Sequence, residues 1–114
     1  MRHSTKRAFL DSAKGRSNLV IETHAQATSI ILEDKQAVGV KYIKKGTPIE
    51  ARTNNEIILS AGSIQSPQLL ELSGIGRPDL LQSLGIEPLH ELSGVGENYQ
   101  DHYVSRLQWH LNQD

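Results

Sequence analysis

One short run of this sequence limits the folds open to the chain more than any other. Residues 56–60 read Glu-Ile-Ile-Leu-Ser, and Ala61 and Gly62 separate them from the leucine-bearing segment 63–72. A run that is apolar throughout its middle suits a strand buried on both faces better than an edge strand. The leucines of 63–72 recur at helical spacing, and its proline is tolerated in a first helical turn. The sequence here predicts a buried parallel strand leading directly into a helix.

Upstream of that run, turn-forming residues separate three segments rich in β-forming residues. The separators are 33–36, Glu-Asp-Lys-Gln, and 46–48, Gly-Thr-Pro. Such short connections return the chain beside itself, so they predict a three-stranded antiparallel meander. A shorter apolar run at 19–21 is also expected to be a strand. The three meander segments are 29–32, 37–43 and 49–53.

Helical spacing of apolar residues predicts two further helices. One covers about 5–14, before Gly15, and the other covers 78–84, where Gly85 stops it. The tail from residue 97 onward has only a weak alternation of apolar residues. Together these elements predict an α+β arrangement: a three-stranded antiparallel meander, one strand of a parallel sheet, and two or three short helices.

Charge and composition argue against several classes of function. Lys and Arg total 12 against 13 for Asp and Glu, a net charge of -1, which gives no attraction to nucleic acid or anionic lipid. There is no cysteine, so disulfides and thiolate metal sites are excluded. The histidines lack the spacing of a metal site, and we predict none. They are His3, His24, His90, His102 and His110.

A repeated phrase keeps one alternative open. Residues 72–76, Leu-Ser-Gly-Ile-Gly, and 92–96, Leu-Ser-Gly-Val-Gly, each combine a serine with a Gly-apolar-Gly turn. Helix-hairpin-helix modules use such turns to hold a nucleic-acid phosphate on backbone N–H groups. However, the second copy is followed by acidic and neutral residues, and only Arg77 follows the first. We therefore predict no nucleic-acid partner, with this module as the alternative function.

Two other segments could carry chemistry or be merely structural. The Ala61-Gly62 turn would allow a phosphate or sugar to approach the backbone, but tight packing of strand on helix is the favoured explanation. The second cluster, over 98–102, includes Asp101 beside His102, a pairing suited to acid–base chemistry. Because sequence neighbours rarely face each other, a solvated loop is favoured for that cluster.

Read together, two of these segments resemble one family. Residues 58–76 closely resemble the second signature of the glucose-methanol-choline (GMC) oxidoreductases. Residues 94–102, Gly-Val-Gly-Glu-Asn-Tyr-Gln-Asp-His, resemble a phrase that follows it in the family, with Tyr99 in the place of leucine. Upstream, Thr23-His24-Ala25 and 37–40 are similar to the segment that precedes them. The resemblance covers essentially the whole chain and is strongest to the choline-oxidising members.

That resemblance implies an α+β fragment of an FAD/NAD(P)-binding α/β fold. The chain is then expected to be a single internal segment of the FAD-binding domain. Its parts would be a linker helix over 1–17, the meander and returning strand over 18–62, and helices with a cofactor-side loop over 63–114.

The resemblance also implies contacts with FAD. The strand near residue 27 matches the place where family backbone approaches the adenine, and 60–62 match the strand end on the adenosine side. Residues 98–102 match a loop near the buried cofactor. The implied cofactor-binding residues are Ala27, Ser60, Ala61, Gly62, Asn98, Gln100, Asp101 and His102.

Members of this family oxidise an alcohol to an aldehyde, using a glycine fingerprint for FAD and a C-terminal histidine motif for catalysis. Neither motif occurs in these residues, so no catalytic residue is assigned and the isolated chain is expected to be inactive. The expected partners are the rest of the enzyme and a small alcohol such as choline.

Two further expectations concern the chain by itself and the location of the enzyme. The apolar run at 57–59 is expected to pair with another chain, for example in a homodimer, or to remain less ordered. A non-catalytic interaction module is a further alternative function. We expect the enzyme in the cytoplasm, with peripheral attachment to the inner membrane as the alternative.

Overall fold

A computed structural model describes residues 3–108. Its fold is α+β, with a three-stranded antiparallel sheet, a two-stranded parallel sheet and short helices. The helices predicted near 5–14, 63–72 and 78–84 are all present. In chain order the elements are a π-helical turn Lys6–Leu10, α1 Asp11–Ala13, β1 Ala25–Glu33, β2 Gln36–Lys44, β3 Thr47–Arg52, α2 Gln65–Leu72, β4 Ile75–Gly76, α3 Pro78–Ser83 and β5 His90–Glu91.

The meander is confirmed, and its two turns explain its register. The sheet order is β1-β2-β3, with both pairs antiparallel. Asp34 and Lys35 have φ of 50° and 67°, and Lys45 and Gly46 have φ of 52° and 80°. Two successive residues with positive φ are typical of the two-residue hairpin turn whose twist matches the flanking strands. Each turn therefore brings the next strand back antiparallel to the last.

The strand predicted at 56–60 is not found in the described part of the chain. These residues belong to no sheet, and the side chain of Ile58 is 79% exposed. A parallel strand needs neighbours to complete its hydrogen bonds, and residues 3–108 offer none beside this run. The parallel pairing present instead joins β4 to β5.

Two other predictions for weakly patterned segments can be compared with the structure. The strand expected at 19–21 is absent, because these residues pair with no other strand, and Val20 is 79% exposed. Residues 97–108 form neither helix nor strand, and 109–114 lie outside the described residues.

The core is small and sits where α2 and α3 meet the glycine turns. Among residues 3–108 the buried apolar side chains are Leu69, Leu81 and Val95. Large apolar side chains elsewhere in this range are exposed, among them Val20 and Ile58, each to 79%. Within the described residues, no helix combines the length and the apolar character needed to cross a bilayer.

Candidate functional site

Helix α2 has a recess on each of two opposite faces. The first, the meander cleft, has a volume of about 240 Å³ and lies between α2 and β1. The second, the glycine groove, has a volume of about 390 Å³ and lies between α2 and the segment 94–100. Residues of α2 divide between them as 3.6 residues per turn requires. The meander cleft is lined by Ala25, Gln26, Ala27, Ala61, Gln65, Gln68, Leu69 and Leu72; the glycine groove by Ser63, Ser66, Pro67, Leu70 and 94–100.

The meander cleft brings together two candidate residues that are far apart in sequence. Ala27 comes from β1, at a shift of register between Ala27 and Ser29. Ala61 comes from the turn that precedes α2, and both residues line the cleft. Ser60, the residue before Ala61, is exposed. The structure thus brings together two candidate residues, Ala27 and Ala61, that sequence spacing could not relate.

Gly62 is not explained by tight packing. Its φ is +94°, and a Cβ added to it would meet nothing within 4 Å. The glycine is therefore needed for the left-handed turn, and the space beside it is open. Its carbonyl accepts a hydrogen bond from the Ser66 N–H at 3.0 Å, which starts α2. The interpretation of this turn as a packing device alone is wrong.

No side chain that lines the meander cleft is ionisable, and three of them are amides. Glutamine side chains donate and accept hydrogen bonds without charge. In the rest of the described chain, resolved pKa shifts lie at exposed ion pairs in the N-terminal helical segment and on the sheet. The hydrogen bond that Lys44 donates to Glu22 raises the pKa of Lys44, and the one that Arg52 donates to Glu33 raises the pKa of Arg52. The cleft is therefore suited to a neutral polar group.

On the other face of α2, the glycine groove holds Asn98 and Gln100. Gly96 and Asn98 have φ of 78° and 56°, so the backbone turns sharply just before the candidate residues. Asparagine is among the few residues other than glycine that adopt this region readily. The four polar candidates of this loop thus do not share a recess with Ala27 and Ala61.

The last two candidates lie beyond the groove and contact each other. The Nδ1 atom of His102 is 2.9 Å from Oδ1 of Asp101, and the backbone N–H of His102 donates to the same oxygen at 2.8 Å. The expectation that these neighbours do not face each other is therefore wrong. Their side chains are 84% and 66% exposed, so the carboxylate orients the ring in an open, solvated place.

Sequence reasoning missed the role of Ser73. It is 5% exposed. Its hydroxyl accepts a hydrogen bond from the Ile30 N–H at 2.7 Å and donates one to the Leu69 carbonyl at 2.5 Å. This side chain ties the end of α2 to β1, and so fixes one wall of the meander cleft. The available signal was a serine just after a leucine-rich helix, a position from which it bonds back to the preceding turn.

Around the first glycine turn the structure is closed, which removes the basis of the helix-hairpin-helix alternative. The carbonyl of Gly74 accepts hydrogen bonds from the N–H groups of Leu89 and His90 at 2.8 and 3.0 Å. Arg77, the one basic residue beside the turn, lies 3.3 Å from a carboxylate oxygen of Glu97. The turn is therefore covered by later residues, and its neighbouring cation is already paired.

Among the described residues, no group of three or more histidine, aspartate or glutamate side chains is arranged to hold a metal ion.

Comparison with known proteins identifies the family. The family model for GMC oxidoreductases matches residues 1–104. The chain belongs to the GMC oxidoreductase family. This membership supports neither the nucleic-acid-binding alternative nor the interaction-module alternative, and it confirms the sequence resemblance at both glycine phrases.

Similar GMC proteins include bacterial enzymes named oxygen-dependent choline dehydrogenase. The chain is 53% identical over 108 residues to the oxygen-dependent choline dehydrogenase of Chromohalobacter salexigens, covering 95% of this chain and 19% of that protein. It is 51% identical over 114 residues to that of Pseudomonas fluorescens, covering 98% and 20%. The chain thus spans about a fifth of the length of these relatives.

Two solved structures share the fold. An FAD-dependent oxidoreductase from Chaetomium thermophilum matches with a TM-score of 0.80 and 38% identity, over 84% of this chain and 17% of that one. Pyridoxine 4-oxidase from Mesorbium loti matches with a TM-score of 0.72 and 31% identity, over 77% and 17%. Most of this chain's fold therefore recurs inside larger oxidoreductases.

Proposed function

We propose that this chain is the flavin-supporting segment of an FAD-dependent oxidoreductase that converts the CH–OH group of choline, or of a similar alcohol, to the aldehyde. The observation that carries the proposal is the 53% identity over 108 residues to an oxygen-dependent choline dehydrogenase. Both recesses beside α2 lie within the residues matched by the family model.

The meander cleft fits part of a flavin dinucleotide. Its volume of about 240 Å³ is below the roughly 300–1,000 Å³ usual for a pocket that holds a whole ligand. A cleft of this size, with neutral amides and apolar walls, suits one heteroaromatic ring of an elongated molecule. The open space beside Gly62 leaves room for the sugar that such a ring carries.

When bound, FAD would supply the acceptor for the hydride that leaves the alcohol carbon. The part of this chain would be to bind and orient. Ala27 and Ala61, with small side chains, would let the adenine lie close to the backbone, and Gln65 and Gln68 would offer hydrogen bonds to its edge. Asn98 and Gln100 would contact the cofactor from the glycine groove.

The exposed apolar surface supports a further part of the proposal. Side chains such as Ile58 and Val20, each 79% exposed, would contact the remaining four fifths of the enzyme. Separated from it, the chain would associate with a second copy through the same surface. Sedimentation of the isolated chain would measure this, and a monomer at all concentrations would contradict it.

The test is a chimera that carries this chain in place of the matched 108 residues of the Chromohalobacter salexigens relative. We expect the purified chimera to hold about one FAD per polypeptide and to oxidise choline, measured by absorbance and by reduction of an artificial electron acceptor. A folded chimera that binds no flavin would contradict the proposed function. Flavin binding with activity on another alcohol alone would contradict the choline assignment.

A matched pair of variants tests the cleft itself. Ala61→Leu fills the meander cleft and is expected to weaken FAD binding by more than about tenfold, since it removes the space for the ring. Ala8→Leu adds the same side chain on an exposed helical surface and should leave binding unchanged. Equal affinity in the two variants would mean that FAD does not use this cleft.

A further inference from the structure

A glutamate side chain lies between the two glycine turns. Glu71 belongs to α2 and is half-buried. A Cβ built on Gly96 would lie 2.7 Å from its Oε1 atom and 3.5 Å from its Cδ atom, and one built on Gly76 would lie 3.4 Å from its Cγ atom. A real Cβ essentially never approaches another heavy atom to less than 3.0 Å. A Cβ at Gly96 would therefore displace the Glu71 carboxylate, and the φ of +78° at this position independently favours glycine.

Glu71 contacts Gly96 through van der Waals packing and not through an ion pair or a hydrogen bond. Within residues 3–108, the carboxylate of Glu71 has no hydrogen-bond or ion-pair partner. It lines a recess of about 320 Å³ together with Gly96 and Tyr99. The interaction is thus a van der Waals contact, whose strength depends on the fit of the side chain against the turn.

The Gly96 turn is the last part of the chain held against the rest of the fold before the exposed loop begins. Val95 is buried, and Glu97 forms an ion pair with Arg77. Beyond them, Asn98 and every residue through 108 are exposed. Whatever sets the position of residues 95–97 therefore sets where the following loop leaves the body of the fold.

We propose that Glu71 is a positioning residue for the cofactor: its side chain sets the spacing between α2 and the Gly96 turn, and so places Asn98 and Gln100 on the glycine groove. This rests on the proposed function, in which those two residues contact the flavin. Glu71 itself contacts the turn and is not assigned a contact with substrate or cofactor.

A double-mutant cycle in the chimera tests this contact. Gly96→Ala is expected to weaken FAD binding in two ways. One is the strain of alanine at positive φ, which does not depend on residue 71. The other is the overlap of the new methyl group with Oε1 of Glu71, which Glu71→Ala removes. We expect the double variant to bind FAD at least about fivefold more tightly than the product of the two single effects predicts. Independent effects would overturn the proposal.

Gly94 supplies the matched control. It lies two residues away in the same segment, and a Cβ added there meets nothing within 4 Å. Glu71→Ala and Gly94→Ala should therefore act independently on the FAD dissociation constant. Coupling as strong as that with Gly96 would point to a general loosening of the fold and would overturn the specific contact.

Two further measurements separate positioning from simple stability. Glutamine has nearly the same shape as glutamate, so Glu71→Gln should keep FAD affinity within about twofold of that of the chimera without substitutions. Glu71→Ala should lower FAD affinity without changing the urea midpoint of the apoprotein. A loss of affinity in Glu71→Gln equal to that in Glu71→Ala would overturn the dependence on shape.

The second measurement needs no flavin, so the positioning of the loop is tested even if the chimera binds none. Chymotrypsin should cleave after Tyr99, which is 59% exposed, at least about threefold faster in Glu71→Ala than in Glu71→Gln. Equal cleavage rates would overturn the proposal on its own. Absence of flavin from the unvaried chimera would instead contradict the proposed function.

Discussion

The two Leu-Ser-Gly phrases share four of five letters but occupy different environments. In the first, 72–76, Ser73 and Gly74 are buried. In the second, 92–96, the corresponding Ser93 and Gly94 are exposed. A Cβ on Gly74 would lie 2.6 Å from the Glu87 carbonyl oxygen, whereas one on Gly94 would meet nothing within 4 Å. The difference comes from what the chain does next, because residues 87–92 return over the first phrase, whereas residues 97–108 leave Ser93 and Gly94 exposed.

The two phrases, although similar in sequence, have different structural roles. The first phrase holds the fold together, through the Ser73 hydroxyl and the backbone of Gly74. The second phrase carries an open turn that leads into the proposed cofactor loop. Only its Val95 side chain is buried within the described phrase, and this single anchor joins the turn to the core.

The largest contrast is expected between Gly74→Ala and Gly94→Ala in the chimera. Gly74 has φ +79°, and the added methyl would overlap Glu87 and Leu89. Backbone strain and overpacking together should lower the free energy of unfolding by about 2–5 kcal/mol. Gly94→Ala should change it by less than about 0.5 kcal/mol. Urea titration of both variants measures this difference. Similar losses in the two variants would contradict the conclusion that the two phrases occupy different environments.

The serines should show the same contrast on a smaller scale. Ser73→Ala leaves the partly buried Ile30 N–H and the Leu69 carbonyl without their partner. We expect a loss of about 1–3 kcal/mol in the free energy of unfolding. Ser93→Ala, at an exposed position, should be neutral within about 0.5 kcal/mol. If Ser93→Ala were as costly as Ser73→Ala, the second phrase would be buried in the whole enzyme.

Hydrogen exchange should separate the two regions without any mutation. The N–H groups of Leu89, His90 and Leu92 donate to the carbonyls of Gly74 and Gly76. Their exchange should be at least about tenfold slower than that of the exposed amides around Gln100, because exchange requires the covering segment to open. Mass spectrometry of peptic peptides from the flavin-free chimera measures this. Equal exchange would mean that residues 87–92 do not close the first turn.

Sequence reasoning succeeded where partners are local. The meander was predictable because its turns, such as 34–35, fix the next strand within two residues. The helices at 65–72 and 78–83 were predictable from leucine spacing and from a proline and a glycine at their ends. The run at 56–60 forms no strand because none of the strands within residues 3–108 lies beside it to complete its backbone hydrogen bonds.

The candidate site was less accessible to sequence reasoning. Spacing alone could not show that Ala27 and Ala61 share a cleft, since it is the packing of α2 against β1 that brings them together. Nor could it show that Glu71 reaches Gly96, a contact between residues 25 positions apart. The repeated phrases looked equivalent because burial depends on the covering segment and not on the phrase.

The smallest effect is expected at the ion pair that links the ends of the two phrases. Arg77 Nη1 is 3.3 Å from Glu97 Oε1, and the two side chains are 42% and 47% exposed. Glu97→Gln should lower the free energy of unfolding by no more than about 0.5 kcal/mol, because such pairs are weak in water. The loss should vanish in about 1 M NaCl, where the screening length is near 3 Å. Asp79→Asn is the control, since Asp79 lies 3.6 Å from Arg77 Nε and is 78% exposed, and it should have no measurable effect. Suppose instead that Glu97→Gln lowers the free energy of unfolding by more than about 1 kcal/mol and that the loss persists in salt. The second turn would then be held as firmly as the first, and the two phrases would differ in exposure but not in rigidity.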